Sequence, residues 1–111
     1  MAIQFEYTDR SGLQLARAYL RCLQVNVGVG NGTAAAPEFA HLEFGVYVDA
    51  AARQRGAAPL RVLQFNLPDD DENDPGDYFG DMVLAAKGGT VFEGAYVYAK
   101  ALPEFARGID V

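Results

Sequence analysis

A chain of 111 residues, 50% of them apolar and 22% charged, suffices for one domain with its own core. Fifteen acidic residues against nine basic ones give a net charge of −6, which argues against nonspecific binding to phosphate backbones, where Lys and Arg must dominate. The one cysteine, Cys22, excludes an intrachain disulfide, and no apolar run approaches the ~20 residues of a membrane span.

The first residues, MAIQFEYTD, show neither a basic n-region nor an apolar h-region, so no signal peptide is expected. The expectation is a soluble protein made in the cytoplasm and held together by packing. Cys22 has no His or CxxC partner near it in sequence and reads as a small buried apolar residue.

In chain order, Ile3, Phe5 and Tyr7 alternate with Gln4 and Glu6, the pattern of a short strand, and the polar stretch from Thr8 to Gly12 turns the chain. Leu13 to Val27 is long and β-rich, but its apolar parity changes. Ala18, Leu20 and Cys22 share one phase, whereas Leu23, Val25 and Val27 share the other. Because a slip of one residue inverts every side chain, a β-bulge near Cys22-Leu23 accounts for the change; a strand covered on both faces is the alternative. With Leu20 facing inward, Arg17, Tyr19 and Arg21 face outward together.

The glycines from Gly28 to Gly32 include Asn31-Gly32, a tight-turn pair. They fail as a dinucleotide fingerprint, because Thr33 stands where GxGxxG requires the third glycine. Thr33 to Phe39 is expected to be irregular. Ala40 to Asp49 is the clearest element: Ala40, Leu42, Phe44, Val46 and Val48 alternate with His41, Glu43, Gly45, Tyr47 and Asp49, as in a strand with one buried face. A short helix ending at Gly56 and a strand over Leu60–Leu67, with Leu63, Phe65 and Leu67 inward, follow.

Residues 68–77, PDDDENDPGD, are densely acidic. Aligned on Asp71, a calcium loop would put Pro75 at its fifth position and Met82 at its twelfth, where oxygen ligands are required. The segment therefore reads as a solvated acidic loop, with a weak, irregular cation site as the alternative. Asp77 to Lys87 reads as a short helix weakened by Gly80, a strand over Met82 to Ala86 being the alternative. The last element is a helix opened by a capping box, Thr90 with Glu93, and ended by Pro103. Val91, Phe92, Ala95, Tyr96, Tyr98, Ala99 and Leu102 form its apolar stripe. Glu104 to Arg107 adds a final turn stopped by Gly108. The whole predicts a single α+β domain: a small, mainly antiparallel sheet of about four strands, covered on one face by a C-terminal helix.

No residue pattern selects catalysis. His41 is the only histidine and sits on the polar side of its strand, read as a surface or locally hydrogen-bonded group. The sequence lacks GxSxG, HExxH and a Cys/His zinc cluster, and nothing in the spacing of Glu43, Asp49 or the acidic loop picks a carboxylate pair. The expectation is a nonenzymatic protein with no cofactor, no metal and no nucleic-acid or membrane partner. Arg17, Tyr19, Arg21 and Tyr47 are the candidate protein-interface residues, since Tyr and Arg combine contact area with specific hydrogen bonds.

Both ends of the chain carry motifs of one kind. Tyr7-Thr8, Gly12-Leu13 and Ala18-Tyr19-Leu20-Arg21 stand at the start, and Tyr96, Tyr98, Lys100, Leu102-Pro103-Glu104-Phe105-Ala106 and Asp110-Val111 at the end. In this the chain resembles small tailed-phage and prophage proteins of unassigned function. The likeness spans most of the chain, with Asp69 to Gly89 longer than the corresponding connection in those proteins. The resemblance implies a virion-associated structural or assembly protein, tail or baseplate associated and acting through protein contacts, with itself or with other virion proteins. Capsid decoration is a variant, and a phage-encoded regulator that binds a host protein is the alternative. It carries over no catalytic residue, and leaves the location as host cytoplasm during synthesis and then the virion.

Overall fold

A computed structural model describes residues 2–8, 12–28, 39–68, 75–80 and 90–111. Its elements are β1 (Ile3–Thr8), β2 (Gln14–Gly28), β3 (Phe39–Tyr47), α1 (Ala50–Gln54), β4 (Arg61–Leu67), α2 (Gly76–Phe79), α3 (Val91–Ala101) and β5 (Ile109–Asp110). The strands form one five-stranded sheet in the order β4-β3-β2-β1-β5, and every neighbouring pair is antiparallel. This is the expected α+β arrangement with a C-terminal helix. The fifth strand, two residues paired with Ile3 and Gln4, is new.

The phase change in β2 is a bulge. Cys22 pairs with Phe44 and Gln24 with Glu43, so Leu23 is the extra residue. Below it Leu20 and Cys22 face the core, and above it Val25 and Val27 do so. A second irregularity lies near the start of β2. Phe5 pairs with Ala18 but Tyr7 with Leu15, so β2 again carries one residue more than its partner. Bulges increase local twist, and the sheet is strongly coiled. Arg61 at the start of β4 comes within 3.4 Å of the Tyr7 hydroxyl on β1, although β3 and β2 lie between those strands.

The core lies on the concave face. Cross-strand rows such as Leu20, Val46 and Cys22, Phe44, Leu63 meet α3 through Ala95, Tyr96, Tyr98 and Ala99. Small residues let the helix approach, and the aromatic side chains fill the trough edge to face. Phe44 packs 5.9 Å from Tyr96, and Phe65 lies 5.9 Å from Tyr98, between ring centroids. The Thr90 hydroxyl accepts from the Glu93 N–H at 3.3 Å, the N-terminal half of the predicted capping box. After Leu102 the chain makes turns closed by Phe105 N–H to Leu102 C=O and Gly108 N–H to Phe105 C=O. Gly94 is where α3 meets α2: a Cβ there would lie 2.3 Å from the Tyr78 carbonyl oxygen.

Three expectations need correction. Val48 lies beyond β3 and is exposed, because Asp49 starts a helix instead of continuing the strand; its carboxylate accepts from the Ala52 N–H at 2.7 Å. Phe92, placed on the apolar stripe of α3, is 46% exposed. Tyr47, expected on a free surface, is only 5% exposed. The glycine-rich segment after Gly28, the acidic run 69–74 and the residues 81–89 after α2 lie outside the described residues, so the readings made of them do too.

Candidate protein-contact face

The outer face of the sheet, opposite α3, is organised by the same register that builds the core. Its rows are Asn26, His41, Asn66; then Gln24, Glu43, Gln64; then Arg21, Gly45, Val62; then Tyr19, Tyr47. One half is therefore polar, and the other aromatic, apolar and cationic.

In the polar half the side chains bond across strands. Gln64 Nε2 donates to Glu43 Oε1 at 3.0 Å, and His41 Nδ1 donates to Asn66 Oδ1 at 2.7 Å. The other imidazole nitrogen lies 3.5 Å from Glu43 Oε1, a partner it engages as a donor only when protonated. The hydrogen bond to Asn66, and then the bond and charge of Glu43, hold the His41 pKa above its ordinary 6.5, against the opposing effect of desolvation. A raised folded-state pKa means stability fully present below pH 6.5 and lost as pH rises through the folded value. The imidazole NMR signal, unambiguous for the only histidine, should titrate above 6.5. The melting temperature relative to His41→Gln should fall on going from acid to alkaline buffer across that midpoint. A midpoint at or below 6.5 would contradict the arrangement.

In the other half, the sequence-predicted residues are brought onto one side but do not share one environment. Arg17 is exposed, and Tyr19 and Arg21 are half-buried. Tyr47 makes a cross-strand edge contact with Tyr19, ring centroids 6.3 Å apart, and the Arg53 guanidinium of α1 covers its ring at 5.9 Å. Tyr47 is thus packing beneath α1, which folds back onto the outer face after the Asp49 cap. Gly45 opens the space that makes this compact: Leu23, Pro59 and Tyr47 all come within 3.3 Å of where its Cβ would stand.

Sequence reasoning missed the residues that are exposed here. Leu23 is 41% and Val62 45% exposed, with Leu60 alongside at the start of β4. Parity grouped Leu23 with Val25 and Val27, but as the residue inserted at the bulge it turns outward while those two face the core. Arg53 had no signal, because its place depends on how α1 docks. Among the described residues no group of three or more His, Cys, Asp or Glu side chains is placed to hold a metal, and no helix is long and apolar enough to cross a membrane. Cys22 is buried, and burial pushes its thiol up to about 11, so it stays protonated at neutral pH.

Compared with protein-family models, curated proteins and solved structures, the chain has no match among any of them.

Proposed function

We propose that the protein is a nonenzymatic structural or assembly component of a tailed-phage virion, tail or baseplate associated, acting through protein contacts made by the outer face of its sheet. The observation that carries the contact role is the exposed half of that face. Leu23, Leu60 and Val62 stand in solvent beside Arg17, Tyr19 and Arg21, and the amide and charged rows lie next to them. Apolar residues grouped on a sheet face and rimmed by polar groups are the anatomy of a protein interface. The phage assignment is supported by the paired motifs at the two ends of the sequence.

Mass spectrometry of purified particles from the encoding phage tests the assignment. The protein should be recovered at a fixed ratio to the other tail proteins. Absence from particles, with recovery bound to a host protein from infected cells, would replace this reading with the regulatory one. Recovery tied to the capsid fraction would shift it to decoration.

A further inference from the structure

At the edge of β2 a cleft of about 410 Å³ is lined by Arg21, Cys22, Leu23, Arg53, Phe92 and Tyr96. Its position follows from the sheet. β1 pairs with β2 no further than Ile3 with Leu20, so beyond that point side chains of α3 and of the outer face meet around the strand. The Cys22 N–H, next to the bulge, donates to the Tyr96 hydroxyl at 2.8 Å, which fixes the wall of the cleft. Neither side chain brings charge at neutral pH: burial raises the Cys22 thiol to about 11 and the Tyr96 hydroxyl to about 12.

Among the described lining residues the charge in the cleft is cationic. Arg21 and Arg53 line it without a carboxylate among the described lining residues, in a chain whose net charge is −6. The ion pairs among the described residues involve neither arginine. Arg53 Nε is buried and has no hydrogen-bond partner. An N–H withdrawn from water without an acceptor is costly, and native proteins pair nearly all of them. Beside these donors stand the exposed ring of Phe92 and the exposed Leu23, two apolar residues of the cleft lining that packing leaves in solvent.

We infer that this cleft binds a carboxylate side chain presented by an acidic segment of another protein, an apolar neighbour of which packs on Phe92 and Leu23. Guanidinium groups give up water readily and match a carboxylate with paired N–H donors. The apolar wall favours a polypeptide over a bare ion, and the overall negative charge disfavours a nucleic-acid strand. The cleft has room for side chains and not for a folded element. The inference rests on the reading of this side as a protein-contact surface.

The test is an NMR titration following the arginine Nε–H signals and the Phe92 ring. The probes are a short capped peptide of alternating leucine and glutamate, the same peptide with glutamine for glutamate, and inorganic phosphate. The acidic peptide should shift Arg53, Arg21 and Phe92 saturably, with the glutamine peptide about tenfold weaker or more, as expected when charge-assisted bonds are lost. Arg21→Gln should weaken binding by a similar factor. Because Arg53 also covers Tyr47, Arg53→Lys, which keeps the cation and loses the forked donors, is used beside Arg53→Gln, and both should bind more weakly while melting cooperatively. Equal binding of the glutamine peptide would overturn the inference. So would phosphate acting as strongly as the acidic peptide, which would mark a free-anion site. Shifts that appear on concentrating the protein alone would assign the cleft to a second copy and also overturn it. Recovery of the protein in particles is read separately, so failure here leaves that assignment standing on its own evidence.

Discussion

Removal of residues 90–111 is expected to give an insoluble chain. The deletion takes away α3 together with Phe105, which packs 4.9 Å from the Phe5 ring, and β5. Ile3, Leu20, Leu42, Phe44 and Val46, fully buried in the intact fold, would then line an open trough. Each large apolar side chain returned to water loses roughly 1.5–3 kcal/mol. Tyr96 and Tyr98 alone, with the partners they cover, account for a loss comparable to the ~5–15 kcal/mol that stabilises an ordinary domain. The backbone suffers as well, since the Cys22 N–H loses the Tyr96 hydroxyl and β1 loses its second neighbour. Expression followed by sedimentation and a thermal melt checks this. A soluble fragment that melts cooperatively would show that the sheet is closed without α3.

Tyr47→Ala is expected to lower stability by about 3 kcal/mol, within the range for truncating a buried aromatic side chain. For a domain of this size that is a fall in melting temperature on the order of 10–20 °C. The ring is 5% exposed and lies between Tyr19 and the Arg53 guanidinium. Removing it leaves Gly45 without one of the groups that close over it and α1 without part of its seat. Arg17→Ala, at an exposed position, should stay within about 0.5 kcal/mol of the parent. Calorimetry on the two variants separates packing from surface. A Tyr47→Ala protein melting like the parent would mean that the tyrosine is free and that α1 does not cover it.

The contrast between these residues marks what could be read from the chain. Strand parity carried the core face of β3 from Ala40 to Val46 and pointed to a bulge near Cys22-Leu23, because burial imposes a strict period of two. Parity also placed Tyr47 on the outer side correctly. It says nothing of what covers that side, and the covering comes from α1, five residues docked through Ala52 and Arg53. The second bulge, between Leu15 and Ala18, escaped notice because the residues there, Ala16 and Arg17, offer no apolar pair whose phase could be seen to change. Phe92 was misplaced for a related reason. A 3.6-residue stripe broad enough to hold it exceeds the arc that the trough can bury, so the helix turns Ala95, Tyr96, Tyr98 and Ala99 inward and leaves Phe92 at the rim of the arginine cleft. β5 is two residues long, too short to form a pattern. The contact face was thus half legible: Arg17, Tyr19 and Arg21 by parity, Leu23, Val62 and Arg53 only in three dimensions.

Particle incorporation of the Arg17→Ala, Arg21→Ala double variant, measured with its melting temperature, tests the contact role most directly. Both changes lie on the outer face, and neither residue belongs to the core beneath α3. If that face docks onto a neighbouring virion protein, the variant should be incorporated several-fold less while melting within a few degrees of the parent, as surface substitutions do. Full incorporation, or a loss that follows a lowered melting temperature, would contradict it.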